Sequence, residues 1–287
     1  MIKEHDIIDL IRSKDTQIPT LPFMVDKILS VTSSANTSAR DLADSILQDQ
    51  AIANKTLRLA NSAYYGFARE IDTIQRAVAM IGFDEIVSLV LGISVFSTFQ
   101  QKSTHGLLDM QDLWIHAIGC TAAAKKITGK KNININEQLF LAGLLHDMGK
   151  VIFAIYFPEE YRAVLGRTAN EQIPLCSAEK EVFGMDHAEL GGLLTERWNF
   201  PDTILMPVRY HHDSAHCPLE HQEWAECIEL ADFLCHLAKI GSSGAPMVKK
   251  PMAVMKEAGL TLDDMKQLTE DLKKDRKSID DFFRVIQ

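Results

Sequence analysis

The stretch LAGLLHDMGKVIFAIYF, residues 141 to 157, restricts this chain more than any other. Its apolar residues suffice for a helix buried on all sides, yet His146, Asp147 and Lys150 stand in its middle. A carboxylate removed from water without a partner costs several kcal/mol even after relaxation, so a fold that buries this run must neutralise Asp147. A bound cation is one solution and an ion pair with Lys150 is another.

The remainder of the 287 residues repeats apolar positions at helical spacing and lacks convincing strand alternation, which predicts an all-α protein with a substantial core. A formal charge of -9 and a pI near 5.6 oppose sequence-independent nucleic-acid binding, which needs a basic surface. The start, MIKEHDIIDLIRSKD, mixes both charge signs with apolar residues and reads as an ordinary first helix, not a signal peptide. Asp147 and Lys150 interrupt the longest apolar stretch, so no membrane span and a cytoplasmic location are expected. Five cysteines, odd in number and without a Cys-x-x-Cys pair, suggest neither a disulfide framework nor a zinc ribbon. Cys120, Cys227 and Cys235 read as reduced core residues.

Three regions are expected: an N-terminal helical lobe over 1–108, a metal-binding helical core over 109–240, and C-terminal helices over 241–287. In the first, Ser38 with Asp41 three residues on has a capping-box pattern, and Gly82 separates two helices. QKSTHG forms the break before the second, which holds an asparagine-rich loop, GKKNININ. GSSGAP reads as a linker to the third, where Thr261 is a candidate cap. Eight of the ten histidines fall between 109 and 240.

Asp112 and His116 are four residues apart and share a helix face. His146 and Asp147 are adjacent, diverging by about 100 degrees on a straight helix. Gly149 permits close backbone approach or a distortion of the helix, and Lys150 either pairs with Asp147 or meets an anionic substrate. His187 precedes Gly191 and Gly192, which are costly inside a helix unless something packs closely. His211 and His212 are adjacent imidazoles that need partners if buried, and Asp232 is a second carboxylate within an apolar helix, with His236 its obvious local partner. Each fragment also has a plain reading: a satisfied core histidine, a solvated carboxylate or a buried ion pair. Together they supply carboxylate and imidazole donors from five helical segments, which suits a divalent transition metal. Iron and manganese are favoured, with zinc or nickel as alternatives, and the number of donors suits two ions, which activate water and clamp a phosphoryl group.

This order of residues resembles the HD superfamily of metal-dependent phosphohydrolases, with its H…HD…D motif, at His116, His146, Asp147 and Asp232. HDMGK, His187, His211 and His212 look like the extended ligand set of the HD-GYP subgroup, in which Asp112 occupies the place of an acidic ligand before the first histidine. HHDSAHCPLEH lacks that subgroup's Gly-Tyr-Pro signature, so cyclic di-GMP hydrolysis is not implied. The segments IPTLPFMVDKIL, SILQDQAIANKTLRLANSAYYG and IDTIQRAVAMIGFDEI resemble the HDOD family, the HD-related output domain of bacterial signalling proteins. The resemblance covers about residues 15–240 and implies a multi-helical HD-type core with an N-terminal lobe. It also implies a regulatory function, with a signalling protein or a nucleotide-like small molecule as partner. Many members have lost metal ligands, whereas here the set looks retained. The alternative is a phosphohydrolase acting on a nucleotide or phosphodiester, with Asp147 and Lys150 as catalytic residues.

Overall fold

Capping chemistry starts the helices where the sequence signals it. The Ser38 hydroxyl accepts the Asp41 N–H at 3.2 Å while Asp41 Oδ2 accepts the Ser38 N–H at 2.9 Å, satisfying two donors that a helix end leaves free. Thr261 and Asp264 make the same reciprocal pair at 3.1 and 2.9 Å. The computed structural model describes residues 4–13, 18–19, 21–32, 37–131, 138–244 and 250–287. The core of the GKKNININ loop and the end of the GSSGAP linker lie outside the described residues.

Among the described residues the regular structure is helical. In chain order the helices are α1 (Glu4–Arg12), α2 (Phe23–Thr32), α3 (Ala39–Ile46), α4 (Gln50–Ala60), α5 (Ile74–Ile81), α6 (Phe83–Phe99), α7 (Met110–Lys131), α8 (Gln138–Leu145) and α9 (Met148–Tyr156). They continue with α10 (Pro158–Glu171), α11 (Leu175–Phe183), α12 (His187–Arg197), α13 (Asp202–Tyr210), α14 (Leu219–Ala238), α15 (Met252–Glu257), α16 (Leu262–Lys274) and α17 (Arg276–Ile286). The all-α expectation agrees with this structure.

The chain divides into a larger unit, Met1–Ile18 with Lys102–Lys274, and a smaller one, Pro19–Gln101 with Asp275–Gln287. This division differs from the three regions read from the sequence. α1 belongs to the larger unit because it buries Ile7 and Ile11, and Arg197 donates to the Ile11 and Ser13 carbonyls. α17 belongs to the smaller one, where Phe282 meets Tyr64 at 5.2 Å and Phe283 meets Phe96 at 6.1 Å between ring centroids.

In the smaller unit, α4 ends in the segment LRLANSAYYG. The Asn61 amide donates to the Leu57 and Ile71 carbonyls at 2.9 and 2.8 Å and accepts the Ile71 N–H at 2.8 Å. Gly66, at φ +65, provides the left-handed exit. Gly82 at φ +113 separates α5 from α6, which diverge by 119 degrees.

In the larger unit, α7 packs against α8 and α14, and α12 against α9 and α13. The window Leu139–Tyr156 has the length and mean hydropathy, 1.5, of a membrane span, but 89% of it is buried in the protein's own interior. It is also two helices, because α8 stops at Leu145 and α9 begins at Met148. His146 and Asp147 form the break, not the straight helix that the spacing argument assumed.

Candidate metal centre

Close helix packing brings the predicted side chains together. A Cβ on Gly149 would lie 2.0 Å from the His187 carbonyl oxygen, so only glycine lets α9 come so near the start of α12. A Cβ on Gly192 would lie 2.5 Å from Arg209 Nε, and one on Gly191 3.1 Å from Val208 Cγ1, which explains both glycines where α12 meets α13. Asp186 caps α12 through a capping box with Glu189, which sets His187 as the first helical residue. His211 and His212 follow the end of α13, while His116 and Asp232 come from the packed pair α7 and α14.

Asp147 lies at the centre. Its Oδ2 is 3.4 Å from His146 Nε2 and 3.9 Å from His116 Nε2. Its Oδ1 is 2.7 Å from Lys150 Nζ, 3.3 Å from His187 Nε2 and 3.9 Å from His211 Nε2. Asp232 Oδ1 is 2.9 Å from His116 Nε2 and 3.4 Å from His236 Nε2, and the Nε2 atoms of His187 and His212 lie 2.8 Å apart. Exposure of His116, His146, Asp147, Lys150, His187, His211 and Asp232 does not exceed 5%, so water does little to satisfy them.

The imidazole orientations are fixed from behind. His146 Nδ1–H donates to the Gly143 carbonyl at 2.7 Å, and His211 Nδ1–H donates to the Val208 carbonyl at 2.8 Å. Each ring thereby presents the lone pair of Nε2 to the interior, and neither Nε2 has a hydrogen-bond partner among the described residues. Such a bond to a backbone carbonyl is how metal-ligating histidines are held. Burial pushes the His146, His211 and His212 imidazoles down, His212 to about 3. Burial opposes protonation of His187, but the Glu179 and Asp147 carboxylates together outweigh it and raise His187 to about 9. Burial by itself would raise the Asp147 carboxyl, yet His146 and Lys150 hold it well below the usual carboxylate range. Asp232 is likewise held down against burial by His116 and His236.

These residues fit a metal. The ligand atoms form three tight groups: His116, Cys120, His146 and Asp232; His187, His211 and His212; and His146, Asp147 and His211. Within each, the atoms lie within 4.8 Å of one another. Asp147 turns one oxygen toward each side of the centre.

Seven of the eight expected ligands converge, and Asp112 does not. It is exposed in the first turn of α7, where a solvated carboxylate favours the positive end of the helix, and its backbone carbonyl accepts the Ser242 N–H at 3.1 Å. Lys150 pairs with Asp147, so the buried ion pair that the sequence allowed is present. Sequence reasoning read Cys120 as a reduced core residue, which its free thiol and burial bear out, without placing it against His116 one turn away, and it missed Glu179, which binds His187 from the far side. The His116 to Cys120 spacing carries the first signal; no local spacing carries the second.

The fold and this centre define an all-α protein of the HD type, with a buried histidine and aspartate cluster that could hold a divalent metal. The HDOD domain matches residues 18–214, more than half of the chain, and the chain belongs to that family. It is similar to an HDOD domain protein with unknown function from Geobacter sulfurreducens, 27% identical with a TM-score of 0.78 over 97% of this chain and 98% of that one. A candidate phosphohydrolase from Shewanella amazonensis shares the fold at 20% identity and a TM-score of 0.77, over 98% of both chains. An uncharacterised protein from Treponema pallidum is 26% identical over 218 residues, 75% of this chain, which spans only 41% of that relative.

Proposed function

We propose that the chain is a regulatory output module of HDOD type whose buried centre would hold two divalent transition-metal ions, with Asp147 lying between the two groups of donors. The observation that carries this reading is the pair of buried Nε2 atoms, on His146 and His211, each fixed by its own Nδ1–H and each lacking a partner. One group of ligands would be His116, His146 and Asp232, the other His187, His211 and His212. Iron and manganese suit these donors, with zinc or nickel as alternatives.

Ligands from α7, α12 and α14, with the segments after α8 and α13, tie those helices together, so occupancy sets their packing and the surface they present. A protein of a signalling pathway or a nucleotide-like small molecule would read that surface. The depth of the donors favours this role over turnover, since the Asp147 oxygens are fully covered.

A second reading, hydrolysis of a nucleotide or phosphodiester, is favoured by a cavity of about 130 Å³ lined by His212, Ser214 and Lys250, among others. The metals would supply Lewis acidity and an activated water. Lys150 would neutralise charge developing on a phosphoryl oxygen, and Asp147 would hold the metals.

Elemental mass spectrometry on protein purified without a metal-binding tag tests the common premise, beside a His146→Ala, Asp147→Ala double variant. About two equivalents of a transition metal, lost in the variant, support it. No metal after reconstitution overturns it. A metal-loaded chain that cleaves a phosphoester, with the activity lost in Asp147→Ala, would replace the regulatory reading with the hydrolytic one.

A further inference from the structure

We infer that Cys120 is a metal ligand, so that one half of the centre is a mixed thiolate, imidazole and carboxylate site made by His116, Cys120, His146 and Asp232. The inference rests on the metal-binding reading above and changes its chemistry, because the other donors are nitrogen and oxygen.

Cys120 follows His116 by one turn of α7 and shares its face. It is completely buried, and its Sγ lies 3.6 Å from His116 Nε2. A tetrahedral ion with bonds of about 2.3 Å to sulfur and 2.0–2.1 Å to nitrogen separates those two ligands by about 3.5 Å. The observed separation, a thiol–imidazole hydrogen bond in the metal-free chain, also matches that of two ligands on one ion. The corresponding edge between nitrogen and oxygen ligands is about 3.3 Å. Asp232 Oδ1 lies 2.9 Å from His116 Nε2 and 4.0 Å from His146 Nε2, on either side of that value.

The independent observation is His146. Its ring is fully buried, its Nδ1 is tied to Gly143, and its unpartnered Nε2 faces the same space. A core cysteine kept only for packing would not need to share that space with an open imidazole lone pair. Cys235 shows the contrast: it is equally buried and packs near Gly119, yet it stands outside the group.

Binding displaces the Cys120 thiol proton to solvent, and the thiolate shifts this half toward zinc or iron and away from manganese. The other half, with His187, His211 and His212, has no sulfur donor.

The test is cobalt(II) loading of the full chain, with bound cobalt quantified by elemental analysis and the near-ultraviolet thiolate-to-cobalt charge-transfer band recorded. The band should be present in the wild type and in Cys235→Ala, and absent from Cys120→Ala. Cobalt bound without the band in the wild type, or a band that survives Cys120→Ala, would overturn the assignment of Cys120 while leaving the metal centre standing. No cobalt bound by the wild type would overturn both. If Cys120→Ala and Cys120→Ser both fail to fold, X-ray absorption on the zinc-loaded wild type decides. A sulfur neighbour near 2.3 Å supports the ligand, and a shell of nitrogen and oxygen alone rejects it.

Discussion

Glu179 holds His187 with a single oxygen: Oε2 accepts the His187 backbone N–H at 2.9 Å and its Nδ1–H at 2.5 Å. Both residues are buried, so the carboxylate fixes the ring and turns Nε2 toward Asp147 and His212. Glu179 would thus be a positioning residue behind a proposed ligand. Glu179→Ala should weaken metal binding about 10- to 100-fold, with Glu179→Gln between it and the wild type, in a titration against a competing chelator. A lower melting temperature with unchanged metal affinity would reduce Glu179 to a structural role.

Lys150 and the proposed metal would compete for Asp147 Oδ1. In the metal-free chain the 2.7 Å ion pair neutralises the buried carboxylate, so Lys150→Met leaves it uncompensated and should cost about 3–5 kcal/mol by chemical denaturation. Metal addition should restore much of that loss, and the rise in melting temperature should exceed that of the wild type. Equal rises in the two proteins would mean that lysine and metal do not share the carboxylate.

Removal of metal should also be visible without any substitution. An ion that binds only the folded chain stabilises it in proportion to the logarithm of its concentration over Kd, by about 2.7 kcal/mol at one hundred times Kd. Chelator treatment should therefore lower the melting temperature, and re-addition should restore it. His211→Ala should blunt that response, because it removes one of the two open Nε2 atoms. A melting temperature indifferent to chelator would contradict the proposed centre.

Helical spacing told which residues share a face but not which way the face points. Asp112 and Cys120 each lie one turn from His116, and only tertiary packing decides that Asp112 points to solvent and Cys120 inward. The reciprocal caps at Ser38 and Thr261 were legible because their chemistry is local. Glu179 was not, since it serves a residue on another helix. The break at His146 and Asp147 was only hinted at: Gly149, two residues on, permits a distortion, but apolar residues at helical spacing continue on both sides. The placements of α1 and α17 depend on partners far away in sequence, which periodicity does not report.

In the smaller unit the family resemblance rests most on LRLANSAYYG, and Asn61 gives that segment a physical task. Its amide satisfies both the N–H and the C=O of Ile71, a residue 2% exposed. Asn61→Ala leaves those groups without their partner and should cost about 1–3 kcal/mol in denaturant unfolding. Asn61→Asp keeps the acceptor and loses the donors, so it should fall between alanine and the wild type. A neutral alanine variant would show that water replaces the clamp.

Gly149 links the fold to the centre most directly. A methyl group there would meet the His187 backbone carbonyl carbon at 2.8 Å and its oxygen at 2.0 Å, and neither can turn aside as a flexible side chain would. Gly149→Ala must therefore push α9 away from α12, and overpacking of this kind costs about 1–3 kcal/mol or more. The same displacement moves His187 relative to Asp147, whose present separation is 3.3 Å. Metal affinity should consequently fall along with stability, although the substitution touches no ligand atom. Gly166→Ala is the control, since a Cβ there meets nothing within 4 Å and α10 lies outside the centre. Helix propensity alone predicts a small gain at Gly166, with metal binding unchanged. Equal metal affinity in the two variants would show that the approach of α9 to α12 serves packing and not the geometry of the site.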